Sequence, residues 1–212
     1  GWYVTRSFVP QSWQGERVFI RVGSACYFGT VYVNGVKVGT HDGGHLPFAF
    51  EISEHLKWGG ENVIAISVEN ELQPTRVPSG NIQSPLGGGM LASNMRTTFD
   101  FFPFAGIHRP VILYSVPQTH IEDVTVVTDI EGSDGIVKVE VKLNSPLTEE
   151  GRVTLSFGDS SVGAILDFDD GVAQATLYVT NARFWSDTDP FLYALTIQTD
   201  DDSYTLQVGI RT

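Results

Sequence analysis

The stretch TTFDFFPFAGIHRP, residues 97–110, surrounds one carboxylate, Asp100, with four phenylalanines. Burying a carboxylate among aromatic rings is costly unless another group pairs with it. A carboxylate can accept hydrogen bonds from sugar hydroxyls while aromatic rings pack on the apolar faces of the sugar. It can equally accept hydrogen bonds from backbone amides at a strand end. The residues alone therefore leave a sugar-binding role and a structural role open for Asp100.

Hydrolysis of a glycosidic bond requires two carboxylates, about 5–5.5 Å apart in retaining enzymes and further apart in inverting ones. Within residues 1–117, Asp100 is the one acid in an unusual setting, because the other seven lie in strand-edge or turn contexts typical of solvated charges. We therefore expect at most one half of a catalytic pair. Arg109 is expected to pack or form an ion pair rather than contact a ligand.

Three further features could in principle bind metal or act as nucleophiles. His41 and His45 have a spacing that holds metals on helices, but two glycines and Pro47 disfavour a helix here, so we expect a turn. Cys26 is the single cysteine, so an internal disulfide is excluded. We expect Cys26 to be a small buried residue, because a reactive thiolate would need a nearby histidine that the sequence does not show. The segment DFDDG, 167–171, lacks the later glutamate of a calcium loop and predicts an acidic turn. We predict no metal site and no cofactor.

The elements that carry these residues read as strands, because apolar and polar residues alternate with a period of two. RVFIRV (17–22) and IVKVEVKLN (136–144) are typical strands, the second with Val137, Val139, Val141 and Leu143 on one face. Asn34-Gly35 predicts a tight hairpin turn, since both positions favour positive φ. A weak helical turn is predicted near 53–58, with Ser53 as its cap. The short, regularly spaced strands predict an all-β chain built from β-sandwiches.

Charge divides the chain into two parts. Residues 1–117 hold 8 Lys and Arg and 8 Asp and Glu, whereas residues 118–212 hold 5 and 17, which gives the whole net charge of −12. With a boundary near Pro117, we predict a jelly-roll β-sandwich over 1–117 and an immunoglobulin-like β-sandwich over 118–212. The acidic second part argues against nucleic acid binding, and the absence of an eighteen-residue apolar run argues against a membrane span.

Residues 71–98, with three prolines and four glycines, read as a long loop that could form a rim or an oligomer contact.

Four stretches carry a resemblance to a known family. YVNGVKVGTHDGGHLPFAFEIS (32–53), FDFFPFAGIHRPVILYSVP (99–117), ARFWSDTDPFLYALTI (182–197) and VGIRT (208–212) resemble glycoside hydrolase family 2, and within it the β-glucuronidases. The resemblance implies a jelly-roll sugar-binding domain, an immunoglobulin-like sandwich and then a (β/α)8 barrel. This order agrees with the two sandwiches predicted from the strands. Trp185 is expected to anchor the last hairpin of the second sandwich.

The resemblance also implies roles for particular residues. Both catalytic glutamates of the family lie on the barrel, so no catalytic residue is expected in this chain. The aspartate matching Asp100 hydrogen-bonds the glucuronic acid, so the implied partners are a glucuronide or other β-glycoside sugar and the missing C-terminal barrel, within a parent that is a homo-oligomer. The chain departs from the family at Pro103-Phe104, where Asn-Tyr is usual, and at His45, where tyrosine is usual.

Two alternatives remain open from the sequence. One is a stand-alone carbohydrate-binding or adhesion module, against which both chain ends argue because they read as cuts through continuing strands. The other is the same region of a β-galactosidase or β-mannosidase, since the residues that decide between these sugars lie on the barrel. The compartment stays open.

Overall fold

The computed structural model describes residues 1–77, 79–82, 95–97, 104–147 and 149–212, and it describes only the backbone of 80–82 and 95–97. The chain forms two compact units, Gly1–Ser115 and Val116–Thr212. The described part of the chain is all-β, as predicted, with two short 3-10 turns, Gln11–Trp13 and Ser53–His55. It holds no helix of the length and apolarity that crossing a membrane requires.

Eleven strands belong to the first part of the chain as far as the structure describes it. They are β1 (Trp2–Val9), β2 (Arg17–Val22), β3 (Ala25–Cys26), β4 (Phe28–Val33), β5 (Val36–Asp42), β6 (Phe48–Glu51), β7 (Gly60–Glu69), β8 (Gly80–Ile82), β9 (Met95–Thr97), β10 (Gly106–Ile107) and β11 (Val111–Val116).

These strands build a β-sandwich. One sheet has the order β1-β7-β4-β5 and the facing sheet the order β11-β2-β6, while β10 pairs with β3. The core lies between the two sheets, because alternate side chains of each strand point inward. Its most buried members come from both sheets: Val18, Ile20, Val22, Val31, Val33, Ile64, Ile66 and Val68.

Local sequence signals set two of the turns in this unit. Asn34 and Gly35 have φ of 50° and 85°, so the predicted two-residue turn joins β4 to β5. The predicted helical turn is only the 3-10 turn Ser53–His55, and Ser53 is not its cap. Its hydroxyl instead accepts a hydrogen bond from the Val18 amide at 2.8 Å, which ties the turn to β2.

The segment 71–98 is not loop throughout. In its described residues, β8 and β9 form a two-stranded antiparallel ribbon in which Gly80 lies opposite Thr97 and Ile82 opposite Met95. The prediction of a loop is wrong for these six residues. Each strand satisfies the backbone groups of the other, and that pairing requires no alternation of side chains.

The described residues of the second unit form seven strands after β11. They are β12 (Ile121–Glu131), β13 (Asp134–Leu143), β14 (Glu150–Phe157), β15 (Ser160–Asp167), β16 (Val172–Val179), β17 (Tyr193–Gln198) and β18 (Ser203–Val208). A sheet with the order β12-β13-β16 packs against one with the order β15-β14-β17-β18, which is a three-on-four immunoglobulin-like sandwich.

The core of this sandwich follows the alternation seen in the sequence. The inward residues of β13, from Val137 to Leu143, are at most 2% exposed, while Lys138, Glu140 and Lys142 face outward. Trp185 anchors the chain end, because its amide donates to the Ile210 carbonyl at 2.8 Å and Gly209 packs on its ring. The Arg211 guanidinium covers that ring at 5.0 Å.

Candidate functional site

Asp100 lies outside the described residues, together with Phe99, Phe101 and Phe102. The described chain resumes at Phe104, four positions later in the sequence. Two residues further on, β10 pairs with β3, with Gly106 opposite Cys26 and Ile107 opposite Ala25. The segment that follows Asp100 is therefore held on the first sandwich by backbone pairing.

Gly106 fits this position for two independent reasons. Its φ is +83°, a backbone conformation that residues with a Cβ rarely adopt. A methyl group at this position would also overlap the hydroxyl of Tyr3. Tyr3 of β1 and β10 can therefore lie against each other only because residue 106 has no side chain.

Three hydrogen-bonding groups meet beside this pairing. The Sγ atom of Cys26 lies 3.5 Å from Nδ1 of His108, and the Oγ atom of Ser24 lies 3.2 Å from the same nitrogen. The thiol and the hydroxyl both donate to the carbonyl of Gly44, at 3.0 and 2.5 Å. Cys26 is fully buried, as predicted, and the histidine that the sequence could not place beside it is His108.

The pKa shifts in this cluster favour neutral groups. Burial raises the pKa of the Cys26 thiol, more strongly than the Ser24 hydrogen bond and the nearby Arg109 charge lower it. Desolvation lowers the pKa of the His108 imidazole, and His45 and Arg109 lower it further. A neutral thiol beside a neutral imidazole is the opposite of the thiolate–imidazolium pair of a cysteine nucleophile. The arrangement does not support nucleophilic catalysis by Cys26.

The structure separates the two histidines that the sequence paired. His45 turns toward the Cys26 cluster, with its ring centroid 5.5 Å from that of His108, and its Nε2 atom is buried. His41 instead stacks on Phe48 at 4.4 Å between ring centroids. The glycines between them exclude a helix, as predicted, but they bring His45 to a third segment of the chain.

This placement brings together three residues whose side chains are of metal-ligating types. One donor atom each from Cys26, His45 and His108 can be chosen so that all three lie within 4.8 Å of one another. Sequence reasoning missed this group because its members lie at positions 26, 45 and 108, with no motif spacing among them. The turn that the sequence predicts carries His45, whereas His41 lies on β5.

Two arginines have structural roles around these residues. Arg109 donates to the carbonyl of His45 at 3.4 Å, and its Cβ lies so close to Gly23 that a side chain there would clash. Arg76 is 8% exposed and forms ion pairs with Asp42 at 3.3 Å and Glu69 at 3.6 Å. Arg76 thereby fastens the start of the 71–98 segment to β5 and β7.

The other acidic candidate is a turn. Within DFDDG, Asp170 and Gly171 have φ of 50° and 75°, and the Asp169 amide donates to the Val172 carbonyl at 3.0 Å. These residues reverse the chain between β15 and β16, which is the acidic turn that the sequence predicts.

A groove of about 540 Å³ lies on the first unit. Its wall is largely aliphatic, from Ile64, Ile66, Ile107 and Leu113, with Tyr3 and Arg6 among the polar residues that line it. Sugar sites need several converging donors and acceptors besides an apolar wall. The largely aliphatic wall of the groove therefore gives little support for sugar binding there.

Comparison with known proteins assigns the chain to a family. The sugar-binding domain of glycosyl hydrolases family 2 matches residues 1–117, and a second model of glycosyl hydrolases family 2 matches residues 119–211. Together they cover almost all of the chain in the order that the two units follow. The chain belongs to glycosyl hydrolase family 2.

The curated relatives of this chain include β-glucuronidases of bacteria and mammals. A β-glucuronidase of Paenibacillus borealis is 38% identical over 223 residues, and one of Sus scrofa is 36% identical over 243 residues. Each alignment covers 100% of this chain but only 36% and 35% of the relative. The chain thus spans about a third of the length of the curated relatives it matches.

Solved structures agree on the fold. A β-glucuronidase of an uncultured Clostridium sp. superposes with a TM-score of 0.86 at 33% identity, over 100% of this chain and 35% of that one. A β-glucuronidase of Ruminococcus gnavus, solved in complex with D-glucuronic acid, gives a TM-score of 0.83 at 29% identity, over 100% and 36%. The two sandwiches are those of the β-glucuronidase structures.

Proposed function

We propose that this chain is the N-terminal, non-catalytic part of a β-glucuronidase, and that it contributes Asp100 to a sugar site completed by a (β/α)8 barrel. The observation that carries this proposal is the match to the two family domains along almost the whole chain, together with β-glucuronidase relatives that are about three times as long as this chain.

The charges of the first unit support a non-catalytic role. Its described acids include Glu51 and Glu61, which face arginines at 2.7 and 3.7 Å, and the two carboxylates that flank Arg76. Each of these acids faces an arginine, whereas glycoside hydrolysis needs two carboxylates that face one sugar. We therefore propose that the catalytic carboxylates lie on the barrel.

Asp100 is proposed as the residue that orients the sugar. The sequence FDFFPFAGIHR supplies the carboxylate and the aromatic rings, and the β3–β10 pairing fixes the chain that follows. A charge-assisted hydrogen bond from a sugar hydroxyl to Asp100 would select orientation rather than perform chemistry. The uronic acid is the proposed sugar because the relatives are named for it. We further propose that the whole protein is a homo-oligomer.

The test compares two proteins on a chromogenic aryl β-D-glucuronide, with the matching galactoside and mannoside as controls. The purified 212-residue chain should show no turnover, and the product of the complete coding region should hydrolyse the glucuronide. Turnover by the 212-residue chain that vanishes in Asp100→Asn would overturn the non-catalytic assignment. A complete product that prefers the galactoside or the mannoside would overturn the choice of sugar, and a product without glycosidase activity would point to a binding module.

A further inference from the structure

We propose that Cys26, His45 and His108 form a binding site for a divalent transition-metal ion of the zinc type. The site lies where β3, the turn before β6 and the segment after β10 meet. This inference concerns the first unit alone and does not depend on which sugar the whole protein hydrolyses.

The distances match a tetrahedral ion. Bond lengths of about 2.3 Å to sulfur and about 2.0–2.1 Å to nitrogen place two ligands of one tetrahedral zinc about 3.6 Å apart. The observed separation of Cys26 Sγ and His108 Nδ1 is 3.5 Å. The donor atom of His45 lies within 4.8 Å of both, and the proposal requires its ring to move closer to them when the ion binds. Three protein ligands leave a fourth position for water or another donor.

The donor set selects the kind of ion. One thiolate and two imidazoles suit zinc and related transition metals, whereas calcium and magnesium prefer oxygen ligands. Binding would displace the thiol proton of Cys26 into solvent. In the metal-free cluster the Gly44 carbonyl accepts hydrogen bonds from the Cys26 thiol and from the Ser24 hydroxyl. After the thiol proton is lost, the carbonyl would keep the hydrogen bond from Ser24. No buried backbone group would lose its last partner on account of the ion.

The backbone around the three ligands is held in place. Cys26 sits opposite Gly106 in the β3–β10 pairing, two residues before His108. The amide of Gly43 donates to the Tyr27 carbonyl, and the amide of Gly44 donates to the Val77 carbonyl, both at 3.1 Å. The two residues that precede His45 are therefore tied to two other segments of the chain, at Tyr27 and at Val77. Such preorganisation lowers the cost of assembling three ligands around an ion.

One nearby charge opposes the ion. Arg109 is cationic and close enough to influence the pKa of both Cys26 and His108. The thiolate formed on binding offsets one positive charge in the cluster. His41 is not one of the three proposed ligands, and its ring stacks on Phe48 instead.

The experiment uses the 212-residue chain, freed of any affinity tag and of metal, and titrates it with zinc chloride in a calorimeter. Cobalt chloride is the second probe, because a cobalt–thiolate bond adds a charge-transfer band that imidazole and water ligands do not. We expect one equivalent of zinc per chain, a cobalt–thiolate band in the unsubstituted protein, and a higher melting temperature of the first unit with zinc.

Variants assign the ligands. Cys26→Ser and His108→Gln should each weaken zinc binding at least about tenfold, the scale of losses at metal sites. His55→Gln, which removes a histidine of the same unit outside the cluster, should bind zinc as the unsubstituted chain does. The proposal fails if the unsubstituted chain binds no stoichiometric zinc, if cobalt binds without the thiolate band, or if folded Cys26→Ser retains full affinity. The cobalt band needs no substitution, so a variant that does not fold leaves the test intact.

Discussion

The sulfur of Cys26 lies 3.5 Å from Nδ1 of His108, although 82 positions separate the two residues in the chain. The contact joins β3 to the residue that follows β10. It therefore fixes the chain just after the phenylalanine-rich stretch that contains Asp100. The proposed metal site and the proposed sugar-binding segment therefore belong to the same unit, and variants of the first unit can test both proposals.

Asp100→Ala in the product of the complete coding region should lower kcat/KM for an aryl β-D-glucuronide by about 5- to 150-fold. That range corresponds to about 1–3 kcal/mol, the scale of a charge-assisted hydrogen bond lost from the transition state. Steady-state kinetics measure the effect, with Glu54→Ala on the exposed 3-10 turn as the matched control. An Asp100→Ala enzyme with unchanged kcat/KM would remove this residue from the sugar site.

Gly106→Ala should destabilise the first unit by about 1–3 kcal/mol, because it adds backbone strain at positive φ and an overlap with the Tyr3 hydroxyl. Urea unfolding measures the loss. Gly35→Ala is the matched control, since Gly35 also has positive φ but open space around it, so it should cost only the backbone part. Adding Tyr3→Phe to Gly106→Ala should recover some stability; no recovery would argue against the overlap.

Glu149→Gln should stabilise the second unit at pH 7 and have a smaller effect at pH 4. Burial raises the pKa of Glu149, and the charges of Asp200 and Asp201 raise it further. A group with a raised folded-state pKa contributes its stability at low pH and loses it as the pH rises through that pKa. The gain at pH 7 should stay below about 1 kcal/mol, because solvent screens a partly exposed carboxylate.

Thermal unfolding at the two pH values checks this prediction. Its control is Glu150→Gln, one residue along the chain and exposed. Among the described residues, none donates a hydrogen bond to the buried Oε1 atom of Glu149. Replacing the carboxylate of Glu149 with the amide of glutamine therefore breaks no hydrogen bond at that atom. Equal effects of Glu149→Gln at both pH values would contradict the assignment to ionisation.

Tyr193→Phe should destabilise the second unit by about 1–3 kcal/mol. The Tyr193 hydroxyl accepts from the Arg183 amide at 2.8 Å and donates to the Arg183 carbonyl at 3.1 Å, and the side chain is 1% exposed. Removing the hydroxyl leaves two backbone groups without that partner. Urea unfolding measures the loss, and Tyr178→Phe, at a position 65% exposed, should change little. A loss from Tyr178→Phe as large as that from Tyr193→Phe would refute the argument.

The fold was largely predictable because it rests on local patterns. Alternation in 136–144 predicts the buried face from Val137 to Leu143, and Asn34-Gly35 predicts its hairpin turn. Both follow from the chain's own geometry, since successive side chains of a strand point to opposite faces and a tight turn needs positive φ. Alternation does not predict β8 and β9, because these two strands form a ribbon through backbone pairing and their sequences show no clear alternation of apolar and polar residues.

The sequence by itself determined the all-β character of the chain, the motif around Asp100 and the resemblance to glycoside hydrolase family 2. Only the tertiary structure decided that His45 turns away from His41 and joins Cys26 and His108. The physical reason is that β3 and β10 pair across the chain, so the distance between these side chains depends on long-range backbone hydrogen bonds. Residue spacing encodes neighbours within a strand or turn, whereas a site assembled from three separate segments exists only in the folded chain.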